Sequence, residues 1–92
     1  MTTNHARYSR QVFAKRGHEI YERDIRPVLQ PQDENKFVAI DIESAGYEVD
    51  RDDYTATERL LVRYPNAQIW MMRIGQPAAY RVGGRLVAGD GE

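Results

Sequence analysis

The sequence predicts an α+β fold, a small mixed or antiparallel four-stranded sheet with two helices in the order α-β-β-α-β-β. Three observations carry this. Residues 9–26 have a helical apolar period, residues 36–42 alternate with period two ahead of a turn, and a second helical stripe precedes an apolar strand at 68–74.

The first helix is expected to start at Ser9, a good N-cap, and to end by Arg26, because Pro27 disfavours helical backbone before it. At 100° per residue, Phe13, Gly17, Ile20, Tyr21, Ile25 and Val28 fall within an arc of roughly 140°, a core-facing stripe. Lys15, Glu19, Glu22, Arg23 and Arg26 occupy the other side, with Glu19–Arg23 and Glu22–Arg26 at the favourable i,i+4 spacing. Two residues disturb the stripe. Gly17 costs about 1 kcal/mol relative to alanine, so either another chain segment comes close there or the helix is weak. Asp24 also falls in the stripe and needs a partner if buried.

A polar connector, 30–35, leads to the best-specified unit. In Lys36-Phe37-Val38-Ala39-Ile40-Asp41-Ile42, the residues Val38, Ile40 and Ile42 share one face and Phe37, Ala39 and Asp41 the other. Ser44-Ala45-Gly46 supplies a turn, with Gly46 suited to positive φ, and Tyr47-Glu48-Val49 returns as the second strand. The acidic run 50–53 and the capping-box pattern of Thr55 to Glu58 both suit a helix start. Ala56, Thr57, Leu60, Leu61 and Tyr64 form the stripe of that helix, and Pro65 stops it. Residues 68–74 are apolar on both faces, as in a central strand. Residues 78–82 and a two-residue Gly83-Gly84 turn suggest a last strand, with a short fifth one at 85–87. A right-handed crossover from 47–49 through the second helix to 68–74 would make the sheet mixed.

The 92 residues are expected to form a single domain, 1–92, with 1–8 and 89–92 flexible. The absence of cysteine removes disulfides and thiolate chemistry and fits a cytoplasmic protein. No stretch approaches the ~18 apolar residues needed to span a bilayer, so no membrane association is expected. Net charge is −1 but unevenly placed: six basic and three acidic residues in 1–26, two and eight in 27–53, five and three in 54–92. Such blocks steer association but fall short of a dedicated basic nucleic-acid surface.

The sharpest chemical motif is Phe37-Val38-Ala39-Ile40-Asp41-Ile42-Glu43. It resembles the first motif of the acidic-tetrad 3′–5′ exonucleases, in which a strand-borne Asp-x-Glu binds two metal ions. Only Glu58, Asp90 and Glu92 remain after the acidic block to supply the other carboxylates, so two carboxylates on the open side of a half-buried strand is the simpler reading. The 50–53 run is not a calcium loop, because Thr55 and Leu61 stand where an EF-hand needs glycine and glutamate. His5 and His18 lack metal-ligand or triad partners, and Ser9 and Ser44 read as a cap and a turn. No cofactor, metal or catalytic residue is assigned, and an enzyme is disfavoured.

The runs 36–43, 47–50, 67–70 and 80–84, with Phe13 to Gly17 and Ile20-Tyr21, resemble those of small uncharacterised bacterial proteins of similar length. The resemblance implies a self-contained domain and lends no activity to it. The expected function is therefore a non-enzymatic protein-interaction module, antitoxin-like or regulatory towards another bacterial protein, or a homo-oligomer. Two helices look too few to cover both sheet faces, so Phe37, Ala39, Trp70 and Met72 are the expected interaction residues. The alternative is nucleic-acid binding through Arg7, Tyr8, Arg10, Lys15 and Arg16, which combine positive charge with an aromatic ring.

Overall fold

In a computed structural model the described residues are 8–76 and the backbone of 79–81. The Gly83-Gly84 turn, the strand at 85–87, the tail 89–92, His5 and Arg7 lie outside them. The class is α+β, with two α-helices and an antiparallel sheet.

Helix α1 spans Arg10–Ile20, with the Ser9 hydroxyl accepting from the Val12 N–H at 3.1 Å. It does not stop at Ile20. One π-helical turn, Tyr21–Ile25, and one 3-10 turn, Arg26–Val28, continue it. Phe13, Gly17, Ile20, Tyr21 and Ile25 all face inward. Val28 does not: Pro27 helps draw the chain into the 3-10 turn, and Val28 emerges exposed, which corrects the expected stripe. Asp24 is half-buried and held by Arg23, whose Nε and Nη2 each donate to its carboxylate at 2.8 Å. Glu22 pairs with Arg26 as its spacing predicts.

Strands β1 (Phe37–Asp41), β2 (Tyr47–Asp50), β3 (Ile69–Arg73) and β4 (Ala79–Arg81) lie in the spatial order β2-β1-β3-β4. Every pairing is antiparallel, so the sheet is not mixed. The chain does cross from β2 through helix α2 (Asp53–Arg63) to β3, but β1 sits between those two strands and pairs with both. Helix α2 begins at Asp52, whose carboxylate accepts from the Thr55 N–H at 2.8 Å.

The period-two alternation sorts the side chains into two cores. Val38, Ile40 and Ile42 of the β1 segment join Trp70, Met72 and Ile74 against Phe13, Ile20, Tyr21 and Ile25. Ala39, Ile69 and Met71 meet Ala56, Leu60 and Ala67 on the opposite face. One helix covers each face: α1 lies against β1 and β3, and α2 against β1 and β2.

Candidate functional site

The Asp41-x-Glu43 pair does not converge on a cation. Asp41 is 3% exposed, contrary to the expectation of an open strand face. Its Oδ1 accepts from the Glu43 N–H at 3.2 Å and the Gln68 N–H at 3.0 Å, and its Oδ2 accepts from the Ser44 hydroxyl at 2.7 Å. Ser44 in turn accepts from the Gly46 N–H at 3.0 Å. The carboxylate thus organises the β1–β2 turn and ties it to the segment entering β3. This use of aspartate is an Asx-turn with one added long-range bond. Glu43 points outward and accepts from the Tyr8 hydroxyl at 3.2 Å. Among the described residues no group of three or more His, Asp or Glu side chains is placed to hold a metal ion.

The residues expected at an open apolar face lie elsewhere. Ala39 is 0% exposed beneath α2, and Trp70 and Met72 are 7% and 8% exposed beneath α1. These three side chains belong to the two cores, which corrects the assumption of an uncovered face. Phe37 alone is half-buried, at the sheet end where the Arg73 guanidinium lies over its ring.

Of the basic N-terminal set, Tyr8, Arg10, Lys15 and Arg16 lie among the described residues. The Arg16 guanidinium lies over the Tyr8 ring and donates to the Ile42 carbonyl at 3.0 Å. Tyr8 and Arg16 therefore tether the start of α1 to the β1–β2 turn. Arg10 and Lys15 are exposed on the helix. His18 sits edge-on to Trp70 and 3.9 Å from Glu22. No described helix is long and apolar enough to cross a membrane.

What the sequence did not mark is the outer edge of β2. The Asp41 N–H donates to the Gly46 carbonyl at 2.9 Å, so this is a hydrogen-bonded pair of the antiparallel ladder. Bonding alternates along such a ladder. With Ala39 opposite Glu48 and Phe37 opposite Asp50, Glu48 and Asp50 point their backbone groups at β1. Tyr47 and Val49 must then turn theirs outward. Arg63 corroborates this parity by donating from Nη2 to the Tyr47 carbonyl at 2.9 Å. No hydrogen bond outside the ladder reaches Val49 among the described residues.

The side chains of this edge are also sorted. Tyr47 and Val49 are half-buried and extend the α1-side core, while Glu48 and Asp50 stand on the α2 side. There Arg63 lies 3.1 Å from Glu48, and Arg59 lies 3.2 Å from Asp50 and 3.9 Å from Glu48. An open depression of about 440 Å³ runs along the edge, lined by Ala45, Gly46, Tyr47, Glu48, Val49 and Arg63. What it offers chemically is backbone donors and acceptors beside an apolar strip. No protein-family model, curated protein or solved structure matches the chain.

Proposed function

We propose that the chain is a non-enzymatic protein-interaction module whose docking element is the outer edge of β2. The observation that supports this is the outward backbone of Tyr47 and Val49, which a strand from another chain can complete by β-addition. A regulatory or antitoxin-like pairing is the narrower form of the same reading. Val49→Pro removes the outward N–H without taking a bond from the β1 ladder, and an edge strand tolerates proline there. Affinity capture from the native cell with the wild-type chain and with Val49→Pro tests it. A stoichiometric protein that the variant loses supports the reading, whereas a partner retained equally by both places docking elsewhere. Co-purifying nucleic acid, released steeply by salt, would favour the basic α1 face instead.

A further inference from the structure

We propose that β2 pairs antiparallel with β2 of a second copy, joining two sheets into one across a two-fold axis at Glu48. This rests on the β2 edge being the docking element and names its occupant. Three independent features of the strand and its helix select a second copy over another extended segment.

The first is backbone parity. Pairing Tyr47 with Val49 of the second copy, and Val49 with its Tyr47, brings outward backbone groups opposite outward backbone groups. Each pair then exchanges both N–H···O bonds. The Tyr47 carbonyl, which takes a guanidinium proton from Arg63, receives a backbone N–H in its place. Arg63 keeps its contact with Glu48.

The second is the side-chain pattern. In that register each Tyr47 lies beside a Val49 on the α1 side, an aromatic–β-branched cross-strand pair that extends an existing core. On the α2 side the two Glu48 carboxylates meet at the axis. Each is already flanked by Arg59 and Arg63, and Glu48, Asp50, Arg59 and Arg63 balance to zero in each copy. A second copy therefore preserves neutrality, whereas a strongly acidic or basic segment would leave an excess of one sign.

The third is the helix spacing. Helix α2 lies over β1 and β2 alike, and on strands ~4.8 Å apart its axis sits ~2.4 Å inside β2. A symmetric β2 pairing places the two-fold axis ~2.4 Å outside β2, which leaves the two α2 helices about 10 Å apart on one face. That is the distance at which helices pack. Arg59 and Arg63, one turn apart, mark the flank of α2 turned to the edge.

Sedimentation from micromolar to millimolar concentration, with amide exchange of Tyr47 and Val49 followed in the same samples, tests the proposal. The expected result is a monomer–dimer equilibrium in which protection of the Val49 amide rises with the dimer fraction. Val49→Pro, which spares the β1 ladder, should weaken dimerisation about 10-fold or more while far-UV circular dichroism stays unchanged. A dimer whose Val49 amide exchanges as in the monomer, or one that Val49→Pro leaves intact, overturns it. A monomer at every concentration also overturns it. In that case a fast-exchanging Val49 amide leaves the edge open to another protein, and a protected one removes the edge-docking reading as well.

Discussion

The indole of Trp70 lies directly against the backbone of Gly17, where a Cβ would overlap its Cδ2, Cε3 and Cγ atoms. Alanine is the better helix former by about 1 kcal/mol, so helix propensity alone favours Gly17→Ala. Packing opposes it, because Trp70 is stiff and almost fully buried in the α1-side core. Overpacking costs of about 1–3 kcal/mol are usual, and this overlap is severe. Gly17→Ala is expected to lower the unfolding free energy by about 1–3 kcal/mol in urea titrations. The same substitution in a Trp70→Leu background should be neutral or stabilising. A loss of equal size in both backgrounds would show that the indole is not what excludes the methyl group.

Asp41 is expected to act through its hydrogen bonds. Removing them by Asp41→Ala strands the Gln68 N–H and the turn amide of Glu43, which should cost about 2–4 kcal/mol. Asn at this position can still accept from both amides through Oδ1 and can donate to Ser44 through Nδ2. Asp41→Asn should therefore retain most of the stability in chemical denaturation. Equal losses in the two variants would assign the effect to the negative charge.

The sequence carried the local part of this structure and missed what depends on three-dimensional neighbours. Ser9 is a cap in sequence and in space, and the alternation of Val38, Ile40 and Ile42 fixed which face each one takes. The disturbance at Gly17 signalled a close approach, although nothing local identified Trp70 as the neighbour. Asp41 read as exposed because its one long-range tie, to Gln68, spans 27 residues. Which strand becomes an edge depends on β3 choosing β1 over β2, and local patterning does not encode that choice. Hence the open edge at Tyr47 and Val49 was invisible, while Trp70 and Met72, apolar on a two-sided strand, drew attention as surface residues.

Ala45, not Gly46, takes the left-handed conformation in the β1–β2 turn, at φ 69°. Gly46 serves a different need, since a Cβ there would collide with the Tyr64 ring. An alanine in this region costs about 1–2 kcal/mol, and glycine removes that at an entropic cost of about 0.5–1 kcal/mol. Ala45→Gly is therefore expected to raise stability by up to about 1 kcal/mol in urea titrations. A destabilised variant would mean that the Ala45 methyl contact with the α1-side core outweighs the relief.

Acid should loosen the helix starts and turns before the cores. Hydrogen bonds from the Thr55 hydroxyl and amide hold the Asp52 carboxyl below the usual carboxylate range. The Gln30 amide, then Lys36, does the same for Asp33, and Arg23 does so for Asp24. A carboxylate whose pKa is lower folded than unfolded adds stability above its unfolded value, near pH 3.9 for aspartate. That stability is lost as the pH falls through the folded value, because the unfolded chain binds the extra proton. The midpoint of thermal unfolding should thus be flat near neutrality and drop below about pH 4. Asp52→Ser keeps a side-chain acceptor for the Thr55 amide but has no carboxylate to protonate. Its midpoint should start lower than that of the wild type and fall less steeply with acid, so that the two curves converge. Parallel curves across the whole range would show that Asp52 is equally protonated in the folded and unfolded chains.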